Sequence, residues 1–183
     1  MKILSRHDLN AQPWKNGGGL TWEIAAFPEG AGFEDMAWRL SMAEVARDGA
    51  FSAFAGIDRT LTLLSGAGMV LEFAQGRSIT LDTNAPPLSF PGEAAIHARL
   101  CDGPILDLNI MTRRGVCAHR VETLALPSRL PEGTIALVTR DQAVEIGNLV
   151  LHPGEVLLFD HPEELEEIVT RGPVLAIMVH ALA

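Results

Sequence analysis

The sequence predicts an all-β protein built from two similar β units in tandem, on three observations. Short stretches alternate apolar and polar residues with a period of two. Turn signals separate those stretches at regular spacing. One segment in the middle of the chain is echoed, without a gap, near its end.

The alternation is clearest at two places. Trp22, Ile24 and Ala26 alternate with Thr21, Glu23 and Ala25, and Trp38, Leu40 and Met42 alternate with Arg39, Ser41 and Ala43. Successive side chains of a strand point to opposite faces, so both stretches fit half-buried strands. Further strands are expected at 59–65, 68–74, 78–82, 94–101 and 104–111, then at 116–124, 134–139, 142–146, 148–151, 155–159 and 173–181. Pro28-Glu29-Gly30, Gly66-Ala67-Gly68, Pro91-Gly92, Asp102-Gly103-Pro104, Pro153-Gly154 and Arg171-Gly172-Pro173 supply the turns between them. Many short strands with such punctuation point to a sandwich or barrel.

The echo is between LSFPGEAAIHARLCDGPILDLNIM (88–111) and LLFDHPEELEEIVTRGPVLAIMVH (157–180). Phe90 falls on Phe159, Gly103-Pro104 on Gly172-Pro173, and Leu106 on Leu175. Two units follow, 1–114 and 115–183, joined through 112–133, where Pro127 and Pro131 stand. The segment HPEELEEIVTRG (161–172) tests the repeat. Pro162 suits a first helical position and Gly172 a helix cap, whereas the repeat asks for a strand over 165–170, the preferred reading.

Composition excludes several classes. At 48% hydrophobic and 20% charged, the chain reads as an ordinary globular protein, and its apolar runs fall short of the roughly 18 to 20 residues of a membrane span. A formal net charge of −9 argues against a nucleic-acid surface, which needs clustered Lys and Arg. Polar residues follow Met1 almost at once, without an apolar targeting segment, and the two cysteines form no metal-type pair. A reducing cytoplasm is the expected compartment.

The stretch WKNGGGLTWEI (14–24) sets a conflict. Gly17-Gly18-Gly19 is entropically costly in a strand, while Trp14 and Trp22 offer large apolar area to bury. A bend that places Lys15 and Asn16 at a barrel mouth, beside a packed strand 20–27, reconciles the two. The glycines lack the GxGxxG spacing and precede a strand pattern, so they are not a dinucleotide loop. GxSxG, phosphate-loop and HExxH motifs are missing, no cofactor is implied, and no two of the six histidines stand at one-residue spacing. No metal site is therefore expected, and a lone inward His97 would serve as a hydrogen-bonding partner.

What stands out is a set of polar residues interleaved with large apolar ones. Arg39 and Ser41 share a strand face, as do Asp107 and Asn109, with Leu106, Leu108 and Ile110 on the opposite face. A solvated outer sheet face is one reading. The other is a pocket of hydrogen bonders with an Arg or Lys clamp for a carboxylate.

At these residues the chain resembles the HutD/Ves family. The resemblance rests on WKNGGGLTWEI (14–24), WRLSMAEV (38–45), GAFSAFAGIDRTLTLL (49–64) and DLNIMTRR (107–114), matched in order and spacing. It implies a bicupin, two tandem cupin-like β-barrels in one chain, and an accessory or regulatory role in bacterial histidine degradation. The ligand class it suggests is a small carboxylate such as urocanate or N-formylglutamate. The chain lacks the His-x-His pattern of metal-binding cupins. The expected ligand-binding residues are Trp14, Lys15, Asn16, Arg39, Ser41, Phe54, Arg59, His97 and Asn109. Non-enzymatic binding of a small anionic metabolite is the favoured reading. A metal-independent isomerase or hydrolase using Glu23, Asp107 or His97 is the alternative, and a homodimer is an oligomer the resemblance allows.

Overall fold

Strand-forming alternation is realised along most of the chain. The computed structural model describes residues 1–74, 76–124, 130–160 and 170–182. The first part contains β1 (Lys2–Leu4), β2 (Ala11–Pro13), β3 (Gly19–Phe27), β4 (Trp38–Val45), β5 (Gly49–Ala50), β6 (Ile57–Ser65), β7 (Met69–Phe73), β8 (Ser78–Leu81), β9 (Leu88–Pro91), β10 (Ile96–Leu100) and β11 (Ile105–Arg113). The second contains β12 (Cys117–Leu124), β13 (Thr134–Val138), β14 (Val144–Ile146), β15 (Leu149–Leu151), β16 (Val156–Leu158), β17 (Thr170–Arg171) and β18 (Val174–Ala181). A single 3-10 turn, Arg6–Asp8, is capped by Ser5. No helix among the described residues is long and apolar enough to cross a membrane. The helix-or-strand question at 161–169 lies outside the described residues.

The strands form four sheets, ordered β2-β3-β4-β11-β6-β9, β5-β10-β7-β8, β1-β16-β13-β18-β12 and β15-β14-β17. The order β4-β11-β6-β9 recurs as β12-β18-β13-β16, and β10-β7-β8 recurs as β17-β14-β15. The internal echo is thus a repeat of connectivity. One strand crosses the division expected at residue 114: β1 pairs antiparallel with β16, Ile3 opposite Leu157, and so joins the second unit's sheet.

Two interiors and a shared core follow from the pleat. Trp22, Ile24, Leu40, Met42, Leu108 and Ile110 pack with Ala136, Val138, Val156, Leu158, Leu175 and Ile177, which joins the two large sheets back to back. Leu61, Leu63, Phe90 and Ile105 face Met69, Leu71, Ile96 and Ala98 inside the first unit. Leu137, Leu157, Val174 and Ala176 face Val144, Ile146 and Leu151 inside the second. Burial at about 25 cal/mol per Å² of apolar area drives this packing. β11 is buried from Ile105 through Thr112, yet it still alternates apolar with polar residues. A strand covered on both faces is normally continuously apolar, so its polar face requires a reason.

His119 on β12 ties the units together at one edge. Its Nε2 lies 2.7 Å from Thr60 Oγ1 and its Nδ1 2.7 Å from Thr112 Oγ1. A neutral imidazole offers one donor and one acceptor, which suits two hydroxyls. Burial pushes its pKa down to about 4, against the pull of nearby Asp58.

The glycine-rich stretch is a tight turn leading into β3. Trp14 N donates to Gly19 O, Gly17 N to Trp14 O, and Gly18 N to Asn16 Oδ1. Gly17 has φ +67°, and a Cβ on Gly19 would collide with the Glu44 carbonyl oxygen. Gly19→Ala is therefore expected to destabilise the fold by about 3 kcal/mol, because backbone rather than a movable side chain must give way. An unchanged urea midpoint would refute this reading of the turn.

Candidate functional site

Directly opposed residues of paired strands present their side chains on the same face. Glu23 on β3 opposes Ser41 on β4, and Ser41 opposes Asn109 on β11. Arg39 opposes Met111, which on its other side opposes Arg59 on β6. Asp107 lies on the same face of β11, between Ala43 and Leu63. This face looks into the first unit. Arg39, Ser41, Arg59, Asp107 and Asn109 are only 5%, 3%, 5%, 2% and 6% exposed. The outer-face reading of these strands is thereby excluded.

Arg39 Nε lies 2.7 Å from Glu23 Oε2, and its Nη1 donates to Ser41 Oγ at 3.3 Å. The Arg39 guanidinium carbon stands 4.9 Å from the Phe33 ring centre. Arg59 is enclosed by aromatics, 5.4 Å from Phe51, 5.4 Å from Phe54 and 5.2 Å from Phe90. Phe33 and Phe54 stack with centres 4.8 Å apart, so an aromatic pair links the covers of the two guanidiniums. Cation–π contacts of this kind are worth roughly 0.5–2 kcal/mol each. The loop carrying Phe33 is held by Arg113, which donates to the carbonyls of Phe33, Glu34 and Met36. Phe33 itself is 45% exposed, which makes it the wet side of the cover.

Inside, hydrogen bonding is incomplete. Arg59 Nη1 donates to Ser52 O at 3.3 Å, but its Nε has no partner. Asp107 Oδ1 and Asn109 Oδ1 are likewise buried without partners. A buried polar atom left unpaired costs about 1–3 kcal/mol, so three on one face are a strong local signal. Burial pushes the Asp107 carboxyl up to about 7, with Arg59 pulling the other way. Burial draws Arg59 down to about 10, Asp107 opposing and Arg39 reinforcing. The face thus offers a charged donor, amide and carboxyl acceptors, and a carboxyl group that gains or loses its proton near neutrality.

The Ser41 hydroxyl accepts from Arg39, with no base beside it to activate it. Cys117 donates to Ala37 O, and its thiol is pushed up by burial. Among the described residues no three His, Cys, Asp or Glu side chains are grouped to hold a metal ion.

Of the residues expected at the site, Arg39, Ser41, Phe54, Arg59 and Asn109 come together. Trp14 packs against the first unit's interior cluster and donates to Thr21 Oγ1 at 2.7 Å. Lys15 and Asn16 are exposed on their turn. That turn leads to Gly19, which opposes Val45, six residues along β4 from Arg39. At about 3.3 Å per residue this is about 20 Å from the arginines, so the barrel-mouth placement of Lys15 and Asn16 beside this site is corrected. His97 is also corrected. It pairs with Glu72 and Ala50 in the smaller sheet and points outward, fully in the exposed class, because its neighbours Ile96 and Ala98 take the inward positions. Glu23, Asp107, Phe33, Phe51 and Phe90 join the site. Pattern alone finds Asp107, through its shared face with Asn109, whereas Phe33 lies in a loop that has no period.

Fold and site define an all-β protein whose larger sheet turns a buried, arginine-bearing face toward an aromatic cover. The family model for HutD matches residues 6–175, and the chain belongs to that family. It is similar to Protein Ves of Citrobacter koseri, 41% identical over 118 residues, which is 62% of this chain and 60% of that protein. The structure of HutD from Pseudomonas fluorescens SBW25, in a formate condition, superposes with a TM-score of 0.86 at 29% identity, covering 100% of this chain and 99% of the other. A conserved protein of unknown function from Pseudomonas aeruginosa PAO1 gives 0.75 at 28% identity, covering 100% and 98%.

Proposed function

We propose that the first unit, one of two cupin-like units, binds a small carboxylate on the Arg39–Arg59 face. The protein would then act in the cytoplasm as a non-enzymatic accessory or regulatory component of histidine degradation. The family association supplies the pathway, and urocanate or N-formylglutamate the ligand class. The observation that carries the reading is Arg59, buried among three aromatic rings with an unpartnered Nε, near unpartnered oxygens of Asp107 and Asn109. A carboxylate supplies the acceptor that Arg59 lacks. A planar or apolar remainder suits Phe33 and Phe54, and an N–H on the ligand suits Asn109 Oδ1. Titration calorimetry with urocanate, N-formylglutamate and histidine tests it. Saturable heat with one of them is expected, and a folded sample silent to all three removes the ligand class.

One observation favours a second reading, a metal-independent enzyme. Asp107 titrates near neutrality beside where a ligand would sit, as an acid–base catalyst must. NMR of the same metabolites incubated with the protein separates the two: new product signals mean turnover, line broadening without product means binding.

A further inference from the structure

A second cluster lies far from that face, at the seam between the two units. A cleft of about 360 Å³ is bounded by the 3-10 turn, by the Leu64 and Leu106 region of the first unit, and by the β15–β16 turn. Arg6, His7, Arg140 and His152 line it, against one carboxylate, Glu155. The chain as a whole has 14 Lys and Arg and 6 His against 23 Asp and Glu, so four basic groups facing one acid run against the overall balance. Glu155 is already engaged, accepting from His152 N at 2.8 Å, and Arg6 has only a loose pairing with Glu44 at 3.6 Å.

Arg140 is the centre of the cluster. It also lines an adjoining cleft beside Thr83 and Thr139, with Asp141 and Asp82 as the acids nearest its charge. Its Nη1 donates to the carbonyls of Thr83 and Ala85. Its Nε and Nη2 are buried without any hydrogen-bond partner. Nη1 alone anchors the guanidinium, so turning the other edge toward the cleft breaks no existing bond. A bidentate oxyanion matches the free Nε–Nη2 edge of a guanidinium.

We propose that this seam cleft is a separate binding site for a small oxyanion, carboxylate or phosphate, held by Arg140 with His7 and His152. Bound there, the anion bridges segments from both units and stiffens their junction. The test is NMR of the His7 and His152 imidazole resonances in the full chain, titrated with inorganic phosphate, with succinate, and with chloride at matched ionic strength. Saturable shifts with phosphate or succinate but not chloride are expected, and the stronger of the two identifies the anion class. They persist in Arg59→Met and weaken at least tenfold in Arg140→Met. If Arg140→Met does not fold, His152→Gln read at His7 applies the same criterion. Shifts that follow ionic strength alone, that disappear with Arg59→Met, or that survive Arg140→Met unchanged overturn the proposal. The interior site is read by calorimetry through Arg59, so failure of one site leaves the other standing.

Discussion

Arg59→Met removes small-carboxylate binding by a hundredfold or more and leaves the protein folded. The loss is large because a buried guanidinium meeting a carboxylate forms a charge-assisted bond in a dry site, where truncating one partner costs about 2–5 kcal/mol. The fold survives because Arg59 gives little back in the free protein. It is 5% exposed, holds one carbonyl at 3.3 Å, and carries an unpaired Nε. Methionine fills a similar apolar cage, and replacing a buried ion with an apolar group of like volume is often neutral. Asp107 then loses the positive charge that favours its ionised form. At pH 6 it keeps its proton in either case, so the variant's stability should match the parent there and fall behind only above pH 7. A parallel loss of binding and folding at pH 6 would mean that Arg59 is structural.

Asp107→Asn stabilises the protein at pH 8 by about 4 kcal/mol and leaves it unchanged at pH 4. The folded carboxyl titrates at about 7, above its ordinary 3.8. Below pH 4 both folded and unfolded states hold the proton and nothing is lost. Between pH 4 and 7 the unfolded chain releases it while the folded chain does not, so stability falls as pH rises, by roughly 1.4 kcal/mol per pH unit. Above 7 the cost is constant, and asparagine avoids it. His119 runs the opposite way over nearly the same window. Its folded pKa of about 4 lies below 6.5, so below pH 6.5 the unfolded chain gains a proton that the folded chain refuses. Stability then falls as pH falls, by about 3 kcal/mol in all. The two effects largely cancel in the parent. Asp107→Asn should expose the His119 slope, and His119→Gln the Asp107 slope, in urea denaturation at pH 4, 6 and 8. An Asn variant no more stable than the parent at pH 8 would show that Asp107 is solvated or paired in solution.

Much of the architecture is legible in the chain because period-two alternation and glycine or proline turns are local properties. The strand expected at 59–65 is found at Ile57–Ser65, and that at 173–181 at Val174–Ala181. The echo of 88–111 in 157–180 corresponds to β9 through β11 and to β16 through β18, which hold equivalent places in their sheets. The short strands β1, β2 and β5 have too few residues for a period to register. Pairing of Ile3 with Leu157 spans nearly the whole chain, and no local signal foretells it.

The site was half legible for a related reason. Spacing places Arg39 with Ser41 and Asp107 with Asn109, but the same spacing describes a wet outer face. Which face is inward depends on where β7 and β10 fold over the sheet, and that is tertiary. The three glycines misdirect for the opposite reason. They reflect the close approach of Gly19 to the Glu44 carbonyl, a packing need at the end of β4 remote from Arg39.

The most direct measurement is the binding isotherm of urocanate at pH 6 and pH 8, in the parent protein and in Arg59→Met. Saturable binding in the parent, tighter at pH 6 because a protonated Asp107 does not repel the carboxylate, and its loss in Arg59→Met are the results expected. Equal binding by both proteins, or none by the folded parent at either pH, would contradict the assignment of the buried arginine face as the ligand site.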